Sequence, residues 1–295
     1  MFGYLYESIE RNFRRAVFGL FVILVIDILV FSEIAEQAVT KGKLSLYFLP
    51  VGQGDSELAI LPGGVKLLVD GGPPDSAVLR NLDGIFSPRD RYVDLVILTH
   101  PQQDHFGGLI EVLKRYRVGA FIWNGEMGTN PAMRDLLGAV EENGAPEIAL
   151  SAGDRIVYGE SKADILSPVL MGKADVNEDA LVFALESGGV KAFFASDIGA
   201  KTEKRIITDN PDITNSIDIL KVGHNGSKNS SSATFLGALK PKAAVIEVGK
   251  NSYGHPTPEV LDRLAEIGAR VFRTDRDGLL KFELTSNALR ILKIP

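Results

Sequence analysis

Short runs of apolar residues, separated by glycine, proline and aspartate, dominate the chain from residue 44 onward. They are rich in β-branched and aromatic residues, which is typical of strands. In the first half the runs are LSLYFL (44–49), ELAIL (57–61), VKLLV (65–69), DLVIL (94–98) and AFIW (120–123). In the second half they are ALVFAL (180–185), VKAFFA (190–195), IDILKV (217–222), AAVIEV (243–248), RVFRT (270–274) and LLKFEL (279–284).

Stretches long enough for helices lie between some of these runs, at 108–116, 132–142, 234–239 and 258–267. Because strands occur in both halves and helices are available to cover two sheets, the pattern predicts one mixed α/β domain over residues 44–295. We find no internal repeat of fixed period and no low-complexity tract.

The N-terminus follows a different pattern. The apolar run AVFGLFVILVIDILVF spans residues 16–31 and is interrupted only by Asp27. A membrane-spanning helix needs about 20 residues, a length that residues 32–34 complete. Asp27 costs roughly 2.5–3.5 kcal/mol if it lies at the bilayer centre, whereas each Leu, Ile, Val or Phe returns about 0.3–0.6 kcal/mol. The run therefore predicts a transmembrane helix at 16–34.

Charged residues flank this run asymmetrically. Those before it are Arg11, Arg14 and Arg15, and those after it are Glu33 and Glu36. By the positive-inside rule, residues 1–15 lie in the cytoplasm, and a linker at 35–43 leads to a domain outside it. No small-residue cleavage site follows, so the prediction is a single-pass signal anchor that stays in the cell membrane. The alternative is an amphipathic or core helix of a soluble domain.

Composition narrows the function. With 45% apolar and 24% charged residues among 295, the chain is globular. Its net charge of −6 argues against charge-driven coating of nucleic acid, although an enzyme that acts on a phosphodiester held at a metal remains compatible with it. The absence of cysteine excludes disulfides, zinc fingers, iron–sulfur clusters and thiol catalysis.

Candidate chemistry is concentrated where strand-like runs end. The four histidines, His100, His105, His224 and His255, all lie in polar or glycine-rich segments at or beyond such ends. Imidazole and carboxylate donors of this kind suit Zn, Mn or Fe. The segments that carry the donors are VKLLVDGG (65–72), DLVILTHPQQDHFGG (94–108), AFFASDIGA (192–200) and DILKVGHNGSKNSSS (218–232). The donors themselves are Asp70, His100, Asp104, His105, Asp197 and His224.

These motifs carry a family resemblance. THPQQDHFGG resembles the HxHxDH loop of the metallo-β-lactamase fold superfamily, and DGG (70–72) and SDIG (196–199) resemble its flanking motifs. The chain is most similar to the extracytoplasmic hydrolase domain of ComEC-type competence proteins, over about 44–285. The segments that carry this similarity, in the same order, are LYFLPVGQGDSELAILPGG (46–64), NEDALVFALESGGVKAFFASDIG (177–199), LKVGHNGSKNSSS (220–232) and SYGHPTPEVLDRL (252–264).

The resemblance implies an αββα sandwich with one or two divalent ions, Zn or Mn, at one edge. Carried onto this sequence, it implies the metal ligands His100, Asp104, His105, Asp197 and His224. Asp70 would orient a ligand histidine through a hydrogen bond to the ring nitrogen that does not bind the metal. The implied catalytic residues are Asp104, which is also a ligand, and His255, which would contact the substrate or the leaving group at the rim. Lys228 and Lys250 lie near the motifs and are candidates for holding a phosphate, and Lys228 is counted with the catalytic residues. The implied chemistry is metal-assisted hydrolysis.

Two positions depart from the superfamily pattern. Gln102 stands where the second histidine of the loop is expected, and Asn225 stands where a further histidine often follows His224. The usual middle histidine is also missing, and Asn177 or Asp179 lies near its place in the sequence. Because an amide oxygen is a poor ligand for Zn or Mn beside imidazole, we expect one tightly held ion and a second that is loose.

Other segments are interpreted more simply. GQGD (52–55) and RTDRDG (273–278) are predicted to be turns, and NSSSATF (229–235) either a plain helix cap or a phosphate contact.

The predicted function is that of a membrane-anchored, outward-facing metal-dependent hydrolase of phosphodiesters, with DNA as a substrate implied only by the resemblance. A separately encoded channel protein is a candidate partner, since only one candidate membrane helix precedes the domain. The alternatives are a weakened metal site that binds nucleic acid or an envelope partner, and a hydrolase of lactams, thioesters or lactones.

Overall fold

The computed structural model describes residues 17–28, 42–169, 176–214, 217–284 and 289–294. The chain forms two compact units, Met1–Gly42 and Lys43–Pro295. In the first unit the described residues 17–28 are helical (α1). The apolar side chains of α1 are exposed, from 38% at Val25 to 69% at Phe18.

The predicted membrane span at 16–34 lies only partly within the described residues. Residues 16 and 29–34, together with the predicted cytoplasmic segment 1–15 and most of the linker 35–43, lie outside them. Among the described residues, no helix combines the length and the apolar character needed to cross a bilayer.

The second unit contains two β-sheets. The first has eight strands in the order β15-β14-β1-β2-β3-β4-β5-β6. Its strands are β1 (Ser45–Phe48), β2 (Glu57–Ile60), β3 (Lys66–Val69), β4 (Tyr92–Ile97), β5 (Arg117–Trp123), β6 (Glu147–Ala149), β14 (Leu279–Leu284) and β15 (Leu289–Ile294). The strands from β3 to β6 are parallel to one another, whereas β1, β2, β14 and β15 pair antiparallel.

The second sheet has seven strands in the order β13-β12-β11-β10-β9-β8-β7. Its strands are β7 (Arg155–Tyr158), β8 (Ser161–Ser167), β9 (Val182–Ser187), β10 (Val190–Phe194), β11 (Ile219–Lys221), β12 (Ala243–Ile246) and β13 (Arg270–Arg273). The strands from β10 to β13 are parallel, so each sheet has a parallel half whose strands end at a common edge.

Helices connect many of the strands. They are α2 (Ala77–Ile85), α3 (Gln103–Phe106), α4 (Leu109–Arg115), α5 (Met133–Asn143), α6 (Ala200–Asp209), α7 (Ala233–Leu239), α8 (Pro258–Glu266) and α9 (Thr274–Asp277). Two 3-10 turns, Pro211–Ile213 and Gly223–Gly226, complete the described elements.

The buried apolar residues form three layers. Alternation along single strands sends neighbours to opposite faces: Leu68 packs toward α2, α4 and α5, while Leu67 and Val69 pack between the sheets. A third cluster lies between the second sheet and the helices α6, α7 and α8 and includes Phe193 and Leu220. This arrangement is an αββα sandwich, which confirms the predicted fold class of the domain.

The prediction for RTDRDG (273–278) was wrong in one respect. Thr274–Asp277 forms the short helix α9 rather than a plain turn. Val248 explains the local order, because its backbone N–H donates to Thr274 Oγ1 (2.9 Å) and its carbonyl accepts from the same hydroxyl (3.1 Å). A side-chain hydrogen bond to the segment that follows β12, 26 positions away in the sequence, cannot be recognised from a local pattern.

Candidate metal centre and substrate cleft

The predicted ligands follow strands that end side by side. Asp70 follows β3 and His100 follows β4, and these two strands are parallel neighbours in the first sheet. Asp197 follows β10 and His224 follows β11, which are parallel neighbours in the second sheet. Parallel strands end at the same edge of a sheet, so each sheet brings one pair of donors to the edge.

His105 is held in place by Asp70. The Nδ1 atom of His105 lies 2.8 Å from Asp70 Oδ2. Asp70 is itself fixed by Thr99, whose backbone N–H donates to Oδ1 (2.8 Å) and whose hydroxyl donates to Oδ2 (2.7 Å). The opposite ring nitrogen, Nε2, faces Asp197 Oδ2 at 3.6 Å. The carboxylate therefore orients the imidazole with Nε2 toward the centre of the site.

His100 is fully buried beside His105, with their ring centroids 4.1 Å apart. Its Nδ1 atom lies 3.0 Å from the Thr99 hydroxyl and 3.3 Å from the Ser196 hydroxyl. These contacts occupy one ring nitrogen and leave Nε2 for another partner.

Three buried donors converge without a hydrogen-bond partner in the part of the chain that the structure describes. They are His100 Nε2, His105 Nε2 and Asp197 Oδ1. Ligand atoms of these residues lie within 4.8 Å of one another, as do those of a second group, Asp55, Asp70 and His105. Leaving buried polar atoms unpaired is costly, and two imidazoles with a carboxylate form a donor set that divalent transition metals prefer. The residues present therefore fit a divalent cation.

The charges of neighbouring groups set the protonation of these donors before a cation binds. Burial lowers the pKa of His100, so its ring is neutral and able to bind a cation. Burial also disfavours the charged form of His105, but Asp197 and Asp70 outweigh it and raise the His105 pKa well above its usual range. Burial would raise the pKa of Asp197, yet His105 and Lys221 hold it well below its usual range. A cation that binds between His105 and Asp197 must therefore displace a proton.

Two further predicted ligands lie nearer the solvent. His224 is half-buried, and its Nε2 atom is 3.7 Å from Asp197 Oδ2. Asp104 is also half-buried, and neither group of close donor atoms includes it. Its backbone carbonyl accepts a hydrogen bond from the N–H of Asp55 at 3.3 Å. A Cβ atom on Gly54 would lie 2.2 Å from that carbonyl, so the close approach requires glycine.

The positions that depart from the superfamily pattern are hydrogen-bonded. Gln102 Nε2 donates to Asn177 Oδ1, and both residues line the cavity described below. Asn225 is buried, and its Nδ2 donates to Asp55 Oδ1 (2.9 Å) and to the Glu247 carbonyl (2.9 Å). The Oδ1 atom of Asn225 accepts from Gln53 Nε2 at 2.6 Å. Asn225 thus joins the turn at Gln53–Asp55 to Glu247, the residue that follows β12.

A buried lysine beneath the site escaped the sequence analysis. Lys221, at the end of β11, is 1% exposed, and its Nζ atom contacts Asp55 Oδ2. The same Nζ lies 4.0 Å from Asp197 Oδ1 and donates to the Ser196 carbonyl at 3.4 Å. Burial opposes the charged ammonium, but Asp55 and Asp197 raise the pKa of Lys221 above its usual value. Lys221 is therefore a fixed positive charge shared by two carboxylates.

Three carboxyl groups surround this lysine. Burial raises the pKa of Asp55 to about 6 and that of Glu57 to about 8, and it raises the Glu247 pKa well above its usual value. Glu247 Oε1 accepts from the backbone N–H of Ser56 at 3.2 Å. In the sequence, this cluster is signalled by charged residues in apolar runs: Lys221 and Glu247 lie inside such runs, and Glu57 begins one. The GQGD segment is a turn as predicted, but its aspartate belongs to the site.

A cleft of about 450 Å³ opens above the site. Its lining residues are Gln53, Pro73, Pro74, Gln102, Gln103, Asp104, Asn177, His224, Asn225, Tyr253 and His255. His255 is half-buried, its ring centroid is 5.7 Å from that of His224, and burial together with His224 lowers its pKa. Lys228 is exposed and is not among these lining residues. His255 therefore lies on the wall of the cleft, as the prediction of a residue at the rim requires.

An αββα sandwich with imidazole and carboxylate donors at the shared edge of its sheets defines the metal-dependent hydrolases of the β-lactamase type. The sequence model of the metallo-beta-lactamase superfamily matches residues 51–249, and the chain belongs to that superfamily. The resemblance seen in the sequence is thereby confirmed.

Relatives of the chain include two bacterial proteins. It is 33% identical to ComE operon protein 3 of Bacillus subtilis (strain 168) over 193 residues, which are 65% of this chain and 25% of that protein. It is 26% identical to competence protein ComA of Neisseria gonorrhoeae over 265 residues, 90% of this chain and 36% of that protein. The chain thus spans well under half the length of either relative.

A solved structure with the same fold is that of the metallo-beta-lactamase fold protein YhfI from Bacillus subtilis. The TM-score is 0.55 at 13% identity, and the match covers 81% of this chain and 99% of that protein. At this identity the likeness concerns the fold alone.

Proposed function

We propose that the chain is a metal-dependent phosphodiesterase that acts on DNA outside the cytoplasm. The observation that carries this proposal is the set of unpartnered, buried donors on His100, His105 and Asp197 beneath an open cleft. Membership in the metallo-beta-lactamase superfamily supports hydrolysis, and the relative named competence protein ComA supports DNA as the substrate.

We assign one ion to Asp104, His105, Asp197 and His224, and a weaker one to the side of His100. Gln102 supports this difference in affinity between the two ions. Its amide nitrogen donates a hydrogen bond to Asn177, and its amide oxygen is a poor metal ligand compared with imidazole. We propose Zn or Mn as the metal, a choice that the imidazole and carboxylate donors support.

When bound, the metal supplies Lewis-acid chemistry, which activates water near neutral pH and polarises the phosphoryl oxygen. The chain supplies the geometry. Asp70 fixes the His105 ring at 2.8 Å, and Lys221 neutralises part of the carboxylate charge that would otherwise repel a phosphate. We assign to His255, on the wall of the cleft, a contact with the leaving group. Exposed Lys228 is proposed as a distal phosphate contact.

Membrane anchoring is part of the proposal. The described residues of α1 expose large apolar side chains, a surface that a bilayer would cover. Arg11, Arg14 and Arg15 precede this helix in the sequence, which supports a cytoplasmic N-terminus and a domain on the outer side of the membrane. A separately encoded channel is the proposed partner for DNA uptake.

Asp197→Asn tests the function, because it keeps the side-chain shape and removes the charge. We expect metal affinity, measured by calorimetric titration with Zn²⁺ and Mn²⁺, to fall by more than the roughly 10–100-fold typical of outer-shell partners. Hydrolysis of a labelled DNA strand should fall with it.

The matched control is Asp90→Asn, which alters a carboxylate paired with Lys66 outside the cleft lining. It should leave both metal affinity and hydrolysis unchanged. Tight DNA binding with neither metal uptake nor hydrolysis would support a binding module instead, and cleavage of a lactam, thioester or lactone without cleavage of DNA would support the other hydrolase.

A further inference from the structure

Tyr253 is unusually exposed for an aromatic residue that lines a cleft. At 73%, its side chain is the most exposed of the large apolar and aromatic residues that the structure describes. It lies on the wall of the same cleft as His224 and Asp104. Ligand clefts are commonly lined by aromatic side chains, so an exposed ring on this wall is available to a ligand that enters the cleft.

The backbone that carries Tyr253 is held firmly. Asn251 Oδ1 accepts hydrogen bonds from the N–H of Tyr253 (3.1 Å) and the N–H of His255 (3.0 Å). Asn251 Nδ2 donates to the carbonyls of Gly249 and His255, both at 2.9 Å. The ring is therefore presented on a pre-organised turn, so a ligand need not order the loop when it binds.

A row of rings leads from the candidate metal ligands to Tyr253. The His224 and His255 centroids are 5.7 Å apart, and the His255 and Tyr253 centroids are also 5.7 Å apart with an interplanar angle of 32°. A planar group that stacked on Tyr253 would therefore share this wall of the cleft with a phosphate held at His224, and the His255 ring would lie between them.

We propose that Tyr253 is a stacking platform for an unpaired nucleobase whose phosphodiester lies at His224. The inference rests on the proposed phosphodiesterase function and specifies its substrate as single-stranded nucleic acid. Aromatic side chains on which bases stack are a general means of binding single strands, and they are tolerant of sequence because every base has a π-face. A duplex, whose bases are already stacked and paired, would not offer that face.

The test compares two substrates on the full-length protein loaded with Mn²⁺. One is a short fluorescein-labelled oligothymidylate, and the other is an oligomer of the same length built from base-free tetrahydrofuran residues. Tyr253→Ala should lower kcat/KM for the oligothymidylate about tenfold, equivalent to about 1.4 kcal/mol, mainly through KM. Hydrolysis of the base-free oligomer should be unaffected, and Tyr253→Phe, which keeps the ring, should retain activity on both.

Tyr158→Ala is the matched control, since Tyr158 is 43% exposed and lies on β7, away from the cleft lining. It should change neither rate. An equal loss on both substrates in Tyr253→Ala, or no loss on either, would overturn the stacking role.

Anisotropy of the labelled oligothymidylate in EDTA separates this inference from the proposed function. If the unmodified protein cleaves neither oligomer, the phosphodiesterase proposal fails. Weaker binding of the oligothymidylate by Tyr253→Ala would then still support stacking, and unchanged binding would refute it.

Discussion

Lys221 shows how a single buried charge organises the site. Its ammonium contacts Asp55 and lies 4.0 Å from Asp197, although Asp55 and Lys221 are 166 positions apart in the sequence. Isolated charges are very costly to bury, and they are retained where a partner compensates them. Without Lys221, the metal-free molecule would hold two buried carboxylates beside each other with less positive charge to offset their repulsion.

Lys221→Met should therefore lower the free energy of unfolding of the metal-free protein by about 3–5 kcal/mol, the usual cost of breaking a buried ion pair. Urea denaturation in EDTA measures this loss. Because a divalent cation supplies positive charge at the same place, adding Zn²⁺ should stabilise the variant more than it stabilises the unmodified protein.

Lys66→Met is the control for that prediction. Lys66 pairs with Asp90 at 2.8 Å, but the pair is partly exposed, at 14% and 32%. Its loss should cost about 1 kcal/mol or less. Equal losses for the two variants would show that Lys221 contributes no more than an ordinary ion pair.

At the scale of elements, two helices hold the loop that follows His224. Arg263 on α8 donates from Nε to the Ser231 carbonyl and from an Nη atom to the Ser230 carbonyl, both at 2.9 Å. Glu203 on α6 accepts from the backbone N–H groups of Ser231 and Ser232. The loop is thus fixed through its carbonyls on one helix and its amides on another, which positions the segment between His224 and α7.

Arg263→Met keeps the aliphatic stem and removes the donors to this loop. We expect a loss of about 1–3 kcal/mol, since carbonyls lose charge-assisted hydrogen bonds, and a melting temperature lower by roughly 2–4 °C per kcal/mol. Scanning calorimetry measures it.

Arg115→Met is the comparison for the loop variant, because Arg115 makes a two-contact pair with Asp83 on the surface, where the side chains are 40% and 41% exposed. The Arg115 variant should lose no more than about 1 kcal/mol. A larger loss of stability in Arg115→Met than in Arg263→Met would show that the hydrogen bonds from Arg263 to the loop do not stabilise the fold as proposed.

At the scale of the whole molecule, the site exists only because two sheets meet. The first sheet contributes Asp70 and His100, the second contributes Asp197 and His224, and the shared apolar layer between them brings the two edges together. That layer contains residues from both halves of the sequence, including Phe48 and Phe194, whose rings stack at 6.4 Å.

The predicted orientation of the chain in the membrane is also a property of the whole molecule. With arginines before the apolar run and acidic residues after it, the domain at 44–295 should be cleaved by protease added to intact cells that express the full-length chain. Protection in intact cells, with cleavage only after lysis, would place the domain in the cytoplasm. A cytoplasmic marker protein that stays intact is the control for cell integrity.

The sequence by itself determined the alternation of strands and helices and the positions of most donors. Strand ends followed by polar turns are local features, so Asp70, His100, Asp197 and His224 were identified from short segments. The short helix at Thr274–Asp277 was missed because a contact with distant Val248 stabilises it. Gln102 was recognised as a departure, but its hydrogen bond to Asn177 needed the folded chain.

Only the tertiary structure decided which charges are buried and which rings are exposed. Asp55 lies in a glycine turn and Lys221 in an apolar run, and neither context identifies the other as its partner. The exposure of Tyr253 at the mouth of the cleft is likewise a property of how the α8 side of the fold meets the loops of the first sheet. The physical reason is that periodicity reports the burial of whole faces, whereas the cost of an individual charge or ring depends on the elements that pack against it.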